Sequence, residues 1–172
     1  DLPGFGRSSH LPFTTIPDVA EEVHSIIANN SVGERPILFG HSLGGYIVAE
    51  YISRFADTLG GAALVHSTAA ADSPTKRRNR AKTIRFIEQH GTREFFRMFV
   101  PGLVAVEHRG RLRGKLDAMV QHTKDSSVLA GLKAMTARPS HYSALSSFDK
   151  PLLLLSGAED THYSQRELYY QA

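Results

Sequence analysis

The sequence of 172 residues contains no cysteine, and this absence excludes several kinds of site. Without thiols the chain has no disulfide, no thiolate metal ligand and no cysteine nucleophile. The sequence also has no apolar run near the roughly 20 residues that a membrane-spanning helix requires, and no secretory leader is visible. These absences predict no membrane span and favour a cytoplasmic location, although the chain begins at Asp1 rather than at methionine.

Patterns typical of metal and nucleic-acid binding are also missing. The nine histidines form no His-Glu-x-x-His sequence and no other metal-ligand spacing, which predicts no metal site. Residues 72–124 carry thirteen lysines and arginines but only five acidic residues, a balance that could attract an anionic partner. Basic residues are mostly exposed, and no basic–aromatic motif accompanies them. We therefore expect solvated helix faces and no nucleic-acid partner.

The most informative stretch covers residues 36–51. Residues 36–39 are all apolar and predict a buried strand, and from Leu43 onward the apolar residues recur with helical spacing. Between strand and helix, residues 40–44 read Gly-x-Ser-x-Gly. This is the pattern of a nucleophile elbow, in which a serine occupies a sharp turn from strand to helix.

The elbow assigns a role to each of its residues. Gly40, Gly44 and Gly45 lack side chains, so they would let strand and helix approach each other closely. Ser42 would then stand above the sheet edge as a nucleophile. The backbone N–H of Leu43, at the start of the helix, would stabilise an oxyanion.

Strands and helices alternate around this stretch. A helix is predicted from Pro17 to about Asn29, capped by Thr15 or the following residue. Apolar runs at 62–65 and 151–155 predict two more buried strands. Alternating helices and strands favour an α/β fold, a parallel sheet with helices on its faces. The apolar face of the first helix comprises Val19, Val23, Ile26 and Ile27, and His24 lies off this face, where we expect it to be solvated.

Residues 72–137 interrupt the alternation with helical patterns alone. A first helix begins at Ser73-Pro74 and ends at Gly91, and Thr92 can cap the next. This predicts an all-helical cap, residues 72–137, inserted between two parts of an α/β core, residues 1–71 and 138–172. Further helical spacing involves Leu112, Leu116, Met119 and Val120, and then Val128, Leu129, Leu132 and Met135.

Two carboxylates, Glu159 and Asp160, follow the last predicted strand. Because the carboxyl ends of parallel strands share one edge, a carboxylate here would stand on the same rim as Ser42. His66 ends the neighbouring strand and could also face this rim, but we expect it to be a satisfied polar residue.

The chain resembles the α/β-hydrolase fold superfamily, in particular its single-domain enzymes with a helical cap. Residues 1–8, Asp-Leu-Pro-Gly-Phe-Gly-Arg-Ser, are similar to the family's D-x-P-G-F/Y-G-x-S loop. Residues 40–45 are similar to its elbow, and residues 134–139 and 150–160 are similar to the segment that enters its acid strand. Order and rough spacing agree over nearly the whole chain, which implies a partial α/β-hydrolase core with an inserted cap.

The resemblance implies a catalytic triad with Ser42 as nucleophile and Asp160 as acid. Asp160 is preferred to Glu159 because the family places its acid at the fourth position of G-x-x-D. Asp72 is a weaker alternative, since a few members draw the acid from the preceding strand. The acid orients the histidine and stabilises the imidazolium without itself taking the proton.

The base is the point of departure from the family. The catalytic histidine of the family follows the acid in chain order. The only histidine after Asp160 in this sequence is His162, which is too close in sequence to bridge Asp160 and Ser42. His41 would point away from the serine hydroxyl. We therefore expect an internal fragment of a longer hydrolase, ending in a helix that begins near Gln165. It would lack the base and the loop with the second oxyanion N–H, and would be inactive alone.

The implied activity is hydrolysis of a small carboxylic ester, or less favourably an amide, through an acyl-enzyme and without a cofactor. Acyl transfer, C–C bond hydrolysis and perhydrolysis use the same serine and stay open. The alternative is a non-catalytic protein of the same fold that binds ligand or serves as a scaffold. Candidates for the substrate pocket are Phe5, His41, Phe95, Phe99 and Met135.

Overall fold

The structure, a computed structural model, describes residues 1–30, 33–160, 162–163 and 169. Contacts group the chain into two compact units. We call residues 15–71 and 137–172 the core unit, and residues 1–14 and 72–136 the helical unit.

This division differs from the predicted one at the start of the chain. Residues 1–14, expected from the sequence to be part of the core, cluster with the helical unit. The reason is local packing. Phe5 lies against an apolar cluster of Ile87, Val128 and Leu132, and the Lys124 ammonium donates a hydrogen bond to a backbone carbonyl of the opening loop at 2.9 Å.

Helices and strands alternate up to residue 65, and helices alone follow until the last strand. In chain order the α-helices and strands are α1 (Ile16–Asn30), β1 (Ile37–His41), α2 (Leu43–Phe55), β2 (Gly61–Val65), α3 (Pro74–Phe99), α4 (Arg109–Val120), α5 (Asp125–Ala137), α6 (Tyr142–Ser146) and β3 (Leu152–Leu155). Single 3-10 turns lie at Gly6–Ser8, Ala56–Thr58, Val100–Leu103 and Val106–His108.

The three strands form one parallel sheet in the order β1-β2-β3. Leu38 pairs with Ala62, which pairs with Leu152 on its other side. This confirms the three predicted strands and the parallel sheet with flanking helices. The carboxyl ends of the strands, at His41, Val65 and Leu155, therefore lie side by side.

The prediction that all three strands are buried is wrong for β1 and β3. Ile37 and Phe39 are 61% and 66% exposed, and Leu153 and Leu155 about half exposed. Side chains alternate between the faces of a sheet, and α2 packs on the opposite face, where an added Cβ on Gly40 would meet Val48. The central strand β2 is buried from Gly61 to Leu64.

Helix α1 begins one residue earlier than predicted. Thr15 caps it as expected, because its hydroxyl accepts the N–H of Asp18 at 3.2 Å. Two side-chain predictions for this helix are wrong. Ile26 is 61% exposed, whereas His24 stacks on Phe55 with ring centroids 4.0 Å apart. The imidazole, and not the isoleucine, therefore lies in the contact between α1 and α2.

In the helical unit, Ser73 caps α3 by accepting the N–H of Lys76. The predicted break at Gly91 is a kink within α3, where Gly91 has φ 79°. Thr92 was expected to cap the next helical segment. Instead, the backbone N–H of Thr92 donates a hydrogen bond of 2.9 Å to the carboxylate of Asp125, which lies 33 residues further along the chain.

The predicted run without strands between Val65 and Pro151 is confirmed, because residues 66–151 are all described and contain no strand. None of the described helices combines the length and the apolar character needed to cross a membrane. The helix predicted near Gln165 lies outside the described residues.

Candidate active site

Ser42 occupies the turn between β1 and α2 with φ 52° and ψ −114°. A positive φ is rare for residues other than glycine and is typical of strained turns at functional sites. The backbone around Ser42 is firmly held. Its N–H donates to Val65 O at 2.9 Å, and its carbonyl accepts the Gly45 N–H at 2.9 Å and the Ser67 hydroxyl at 2.8 Å. The Ser42 side chain itself is exposed.

Two of the three predicted elbow glycines are required by close packing. A Cβ on Gly40 would lie closer than 3.0 Å to the backbone of Gly44 and to Val48 of α2, and one on Gly45 would overlap Ser67. Gly44 differs from the expectation, because an added Cβ there would meet no atom within 4 Å. The close approach of the Gly44 carbonyl therefore restricts position 40, and no neighbouring atom restricts the side chain at position 44.

Leu43 is the first residue of α2. The N–H groups of the first helical turn have no partner within their own helix, and the helix dipole favours negative charge at this end. The Leu43 N–H, directly after Ser42 in the chain, therefore belongs to the helix end that favours negative charge, and its role toward an oxyanion stays a prediction.

Asp160 lies on the same rim of the sheet, five residues after the end of β3. Its side chain is only 6% exposed. One carboxylate oxygen, Oδ1, accepts the backbone N–H groups of His162 at 2.8 Å and Tyr163 at 3.3 Å. The other, Oδ2, lies 2.8 Å from His66 Nδ1 and accepts the Ser156 hydroxyl at 3.3 Å.

These contacts decide the charge of Asp160. Burial alone would raise its pKa, but the hydrogen bonds from His66 and from the backbone of His162 and Tyr163 lower the pKa below its ordinary value of 3.8. Hydrogen bonds to the ionised form favour that form. The carboxylate is therefore ionised at neutral pH.

His66 is the residue whose contact with the acid the sequence did not predict. It directly follows β2, between the strands that lead to Ser42 and Asp160, and has φ 47°. Its ring meets that of His41 edge to face, with centroids 5.8 Å apart. In the part of the chain that the structure describes, no hydrogen bond joins Ser42 to His66. The feature of the sequence that could have indicated this contact was the position of His66, a polar residue at the carboxyl end of the central strand.

The alternative acids lie in other surroundings. Asp72, in the helical unit, is buried and pairs with Arg80 at 2.5 Å. Glu159 is exposed, as is the side chain of His162. Of these three carboxylates, Asp160 is the one that lies on the rim of the sheet and contacts His66.

The predicted pocket residues belong to different units. Phe5, Phe95 and Met135 pack against the apolar cluster of the helical unit, and Phe99 stacks on Phe95 with centroids 5.0 Å apart. His41 is exposed at the end of β1. Their role in a substrate pocket stays a prediction. Among the described residues, no group of three or more histidine and carboxylate side chains is arranged so that it could hold a metal ion.

Comparison with known proteins agrees with this geometry. A family model described as alpha/beta hydrolase family matches residues 1–172, so the chain belongs to the alpha/beta hydrolase family. A search of curated proteins finds no significant match.

Solved structures with the same fold include two bacterial enzymes. A thermophilic esterase from Thermogutta terrifontis is 24% identical, with a TM-score of 0.89 over 100% of this chain and 65% of its own. An enol-lactonase from Burkholderia xenovorans LB400 is 21% identical, with a TM-score of 0.84 over 100% of this chain and 66% of its own. The chain therefore spans about two thirds of the length of these structures.

Proposed function

We propose that the protein is a serine hydrolase that cleaves a small carboxylic ester through an acyl-enzyme on Ser42. The observation that carries this proposal is the backbone of Ser42, held at φ 52° between β1 and α2 with its side chain exposed. Such a turn presents a hydroxyl above the sheet edge. The esterase and the enol-lactonase with the same fold are consistent with ester cleavage.

The proposed reaction has two steps. As the Ser42 oxygen attacks the carbonyl carbon of the ester, its proton passes to the triad histidine, which in the family order follows the acid. The Leu43 N–H stabilises the negative charge that forms on the carbonyl oxygen. The tetrahedral intermediate then expels the alkoxide, which takes that proton and leaves as the alcohol, and an acyl group remains on Ser42. In the second step water gives a proton to the histidine and attacks the acyl group, and the proton returns to the Ser42 oxygen as the carboxylic acid product leaves.

Asp160 is proposed as the acid of the triad. It is buried, ionised and on the same rim as Ser42, and an acid in this role orients a histidine and stabilises its protonated form. In the family order, that histidine follows the acid in the chain. No described residue beyond Asp160 fits such a position, so the proposal assigns no base among the described residues.

The test is covalent labelling of the whole protein with a fluorophosphonate probe. The serine oxygen displaces fluoride from phosphorus, and only an activated serine reacts. We expect wild type to be labelled and Ser42→Ala to be unlabelled. Ser53→Ala is the matched control, because Ser53 is an exposed serine of the same helix. Labelling of Ser42→Ala equal to wild type would contradict the assignment of the nucleophile.

The second candidate function is ligand binding without turnover. It is favoured by one observation, that no described histidine makes a hydrogen bond to Ser42. A folded wild-type protein that resists the probe, yet binds short-chain esters in a calorimetric titration, would support this candidate over the hydrolase.

Substrate preference and the role of Asp160 need a second assay. A panel of p-nitrophenyl esters of increasing acyl length, with some that carry a carboxylate, measures which acyl groups are accepted. Asp160→Asn should lower kcat by roughly 10⁴, the loss seen when a triad acid no longer fixes the histidine tautomer. A loss below tenfold would remove Asp160 from the triad.

A further inference from the structure

We propose that His66 is a positioning residue for Asp160, holding the carboxylate of the catalytic acid by a hydrogen bond from Nδ1. This inference rests on the proposed function, because it needs Asp160 to be the acid. The supporting contact is the 2.8 Å distance between His66 Nδ1 and Asp160 Oδ2.

The direction of this hydrogen bond follows from the charge of Asp160. An ionised carboxylate only accepts hydrogen bonds, and the contacts of Asp160 keep it ionised at neutral pH. The proton must therefore be on Nδ1 of His66. In the neutral imidazole, this fixes the tautomer and leaves Nε2 as an acceptor.

The surroundings of the carboxylate fix its orientation from three directions. The backbone N–H groups of His162 and Tyr163 bind Oδ1, whereas Ser156 and His66 bind Oδ2. The first two lie in the loop of Asp160 itself, and Ser156 lies at the end of the same strand. His66, in contrast, directly follows another strand, β2. Its hydrogen bond therefore connects Asp160 with the central strand of the sheet.

His66 is itself constrained by the fold. Its N–H donates to Leu155 O at 2.7 Å, which links the ends of β2 and β3, and its backbone has a positive φ of 47°. An added Cβ on Gly157 would lie 3.1 Å from its ring carbon Cε1. The imidazole therefore lies against the loop that carries Asp160, although 40% of its side chain is exposed.

His66 acts through Asp160 and not as the base in this proposal. No hydrogen bond joins it to Ser42 in the described residues, and its ring lies against His41. His41 is also the ionisable side chain that the structure places against His66, while the other described donors to Asp160 are neutral.

The kinetic test compares two substitutions at one position in the whole protein. His66→Asn keeps a donor at nearly the place of Nδ1, whereas His66→Phe keeps a ring without any donor. For p-nitrophenyl acetate we expect His66→Phe to lower kcat by about tenfold, the equivalent of one hydrogen bond to a charged group. KM should stay unchanged, and His66→Asn should restore most of the rate.

The pH profile provides a readout that a merely structural role would not move. Loss of a donor to the ionised form raises the pKa of an acid. The acidic fall in kcat should therefore occur at higher pH in His66→Phe than in wild type, with His66→Asn between them. Equal profiles and equal kcat in all three proteins would overturn the proposal, and so would an equal loss in both variants.

A measurement on the unmodified protein covers the case in which His66→Phe fails to fold. Nitrogen chemical shifts of the imidazole, read at a pH where it is neutral, identify the protonated nitrogen. We expect Nδ1–H, and an Nε2–H tautomer would overturn the proposal. Failure of the proposed function is distinguishable. In that case Ser42→Ala would be labelled as strongly as wild type, or wild type would resist the probe, while the tautomer would still report the contact with Asp160.

Discussion

The hydroxyl groups of Tyr46 and Tyr163 lie 2.6 Å apart in the interior of the core unit. Tyr46 belongs to α2, which begins at the elbow. Tyr163 follows Asp160 closely in the chain, and its backbone N–H donates a hydrogen bond to the Asp160 carboxylate. Both tyrosines are more than nine-tenths buried. This hydrogen bond therefore connects the helix behind the proposed nucleophile with the segment that holds the proposed acid.

Removing one hydroxyl of this pair should destabilise the protein. Tyr46→Phe removes the hydrogen bond between the two buried hydroxyls, and the net contribution of one such hydrogen bond is about 0.5–1.5 kcal/mol. The contact between the Arg138 guanidinium and the ring of residue 46, at 3.7 Å, is retained in the variant. Urea unfolding measures the loss. Tyr169→Phe is the control, because Tyr169 is 81% exposed, and equal stability of the two variants would show that the hydrogen bond contributes nothing.

The elbow glycines should respond differently to alanine. Gly45→Ala places a methyl group into Ser67, and such overpacking costs about 1–3 kcal/mol. Gly44→Ala meets no atom within 4 Å, and alanine in a helix is favoured over glycine by about 0.5–1 kcal/mol. Thermal unfolding should therefore place Gly45→Ala below wild type and Gly44→Ala at or above it. The reverse order would contradict the close approach of α2 to Ser67.

The apolar cluster of the helical unit provides a third test. Leu132 is 7% exposed and packs with Ile87 and Val128, so Leu132→Ala should lower the free energy of unfolding by about 2–5 kcal/mol. Met119→Ala is the control, because Met119 on α4 is 75% exposed and exposed positions change stability by about 0.5 kcal/mol or less. Chemical denaturation of both variants measures the difference, and similar losses would mean that α5 is not packed as described.

The pKa of Asp160 predicts a dependence of stability on pH. Because this pKa is lower in the folded state than its ordinary value of 3.8, the ionised carboxylate stabilises the fold at every pH above that value. The contribution disappears as the pH falls through the lowered folded pKa. Asp160→Asn should thus be less stable than wild type at neutral pH, and the gap should close in acid.

The matched control for this titration is Glu159→Gln, since Glu159 is the exposed neighbour of Asp160. Urea unfolding at a series of acidic pH values compares the three proteins. A gap between wild type and Asp160→Asn that stays constant down to the lowest pH would contradict the lowered pKa.

The sequence predicted the positions of the strands along the chain and the turn at Ser42, because both depend on local patterns. A run such as residues 62–65 is apolar whichever way it packs, and a glycine on each side of Ser42 is a feature of the sequence itself. Contacts between distant residues leave no such pattern. Asp125 binds the N–H of Thr92 across 33 residues, and His66 meets Asp160 across 94.

Burial was the other property that the pattern could not decide. Phe39 and Leu153 stand in continuous apolar runs, which are typical of strands covered on both faces, yet they are exposed in the structure. His24 shows the opposite error. A polar imidazole is predicted to be solvated, but the same flat ring can also stack on an aromatic side chain. Its stacking on Phe55 is a contact between two helices, which the apolar spacing of one helix does not predict.

The backbone of Ser42 has a consequence for heat resistance. A residue held at φ 52° costs the fold about 1–3 kcal/mol unless it is glycine, so a proposed nucleophile weakens the molecule that carries it. Ser42→Gly should therefore melt at a higher temperature than Ser42→Ala, although both lack the hydroxyl. Substitutions at other positions could raise the stability of the protein. The cost at position 42 could not be removed without also removing the hydroxyl on which the proposed chemistry depends.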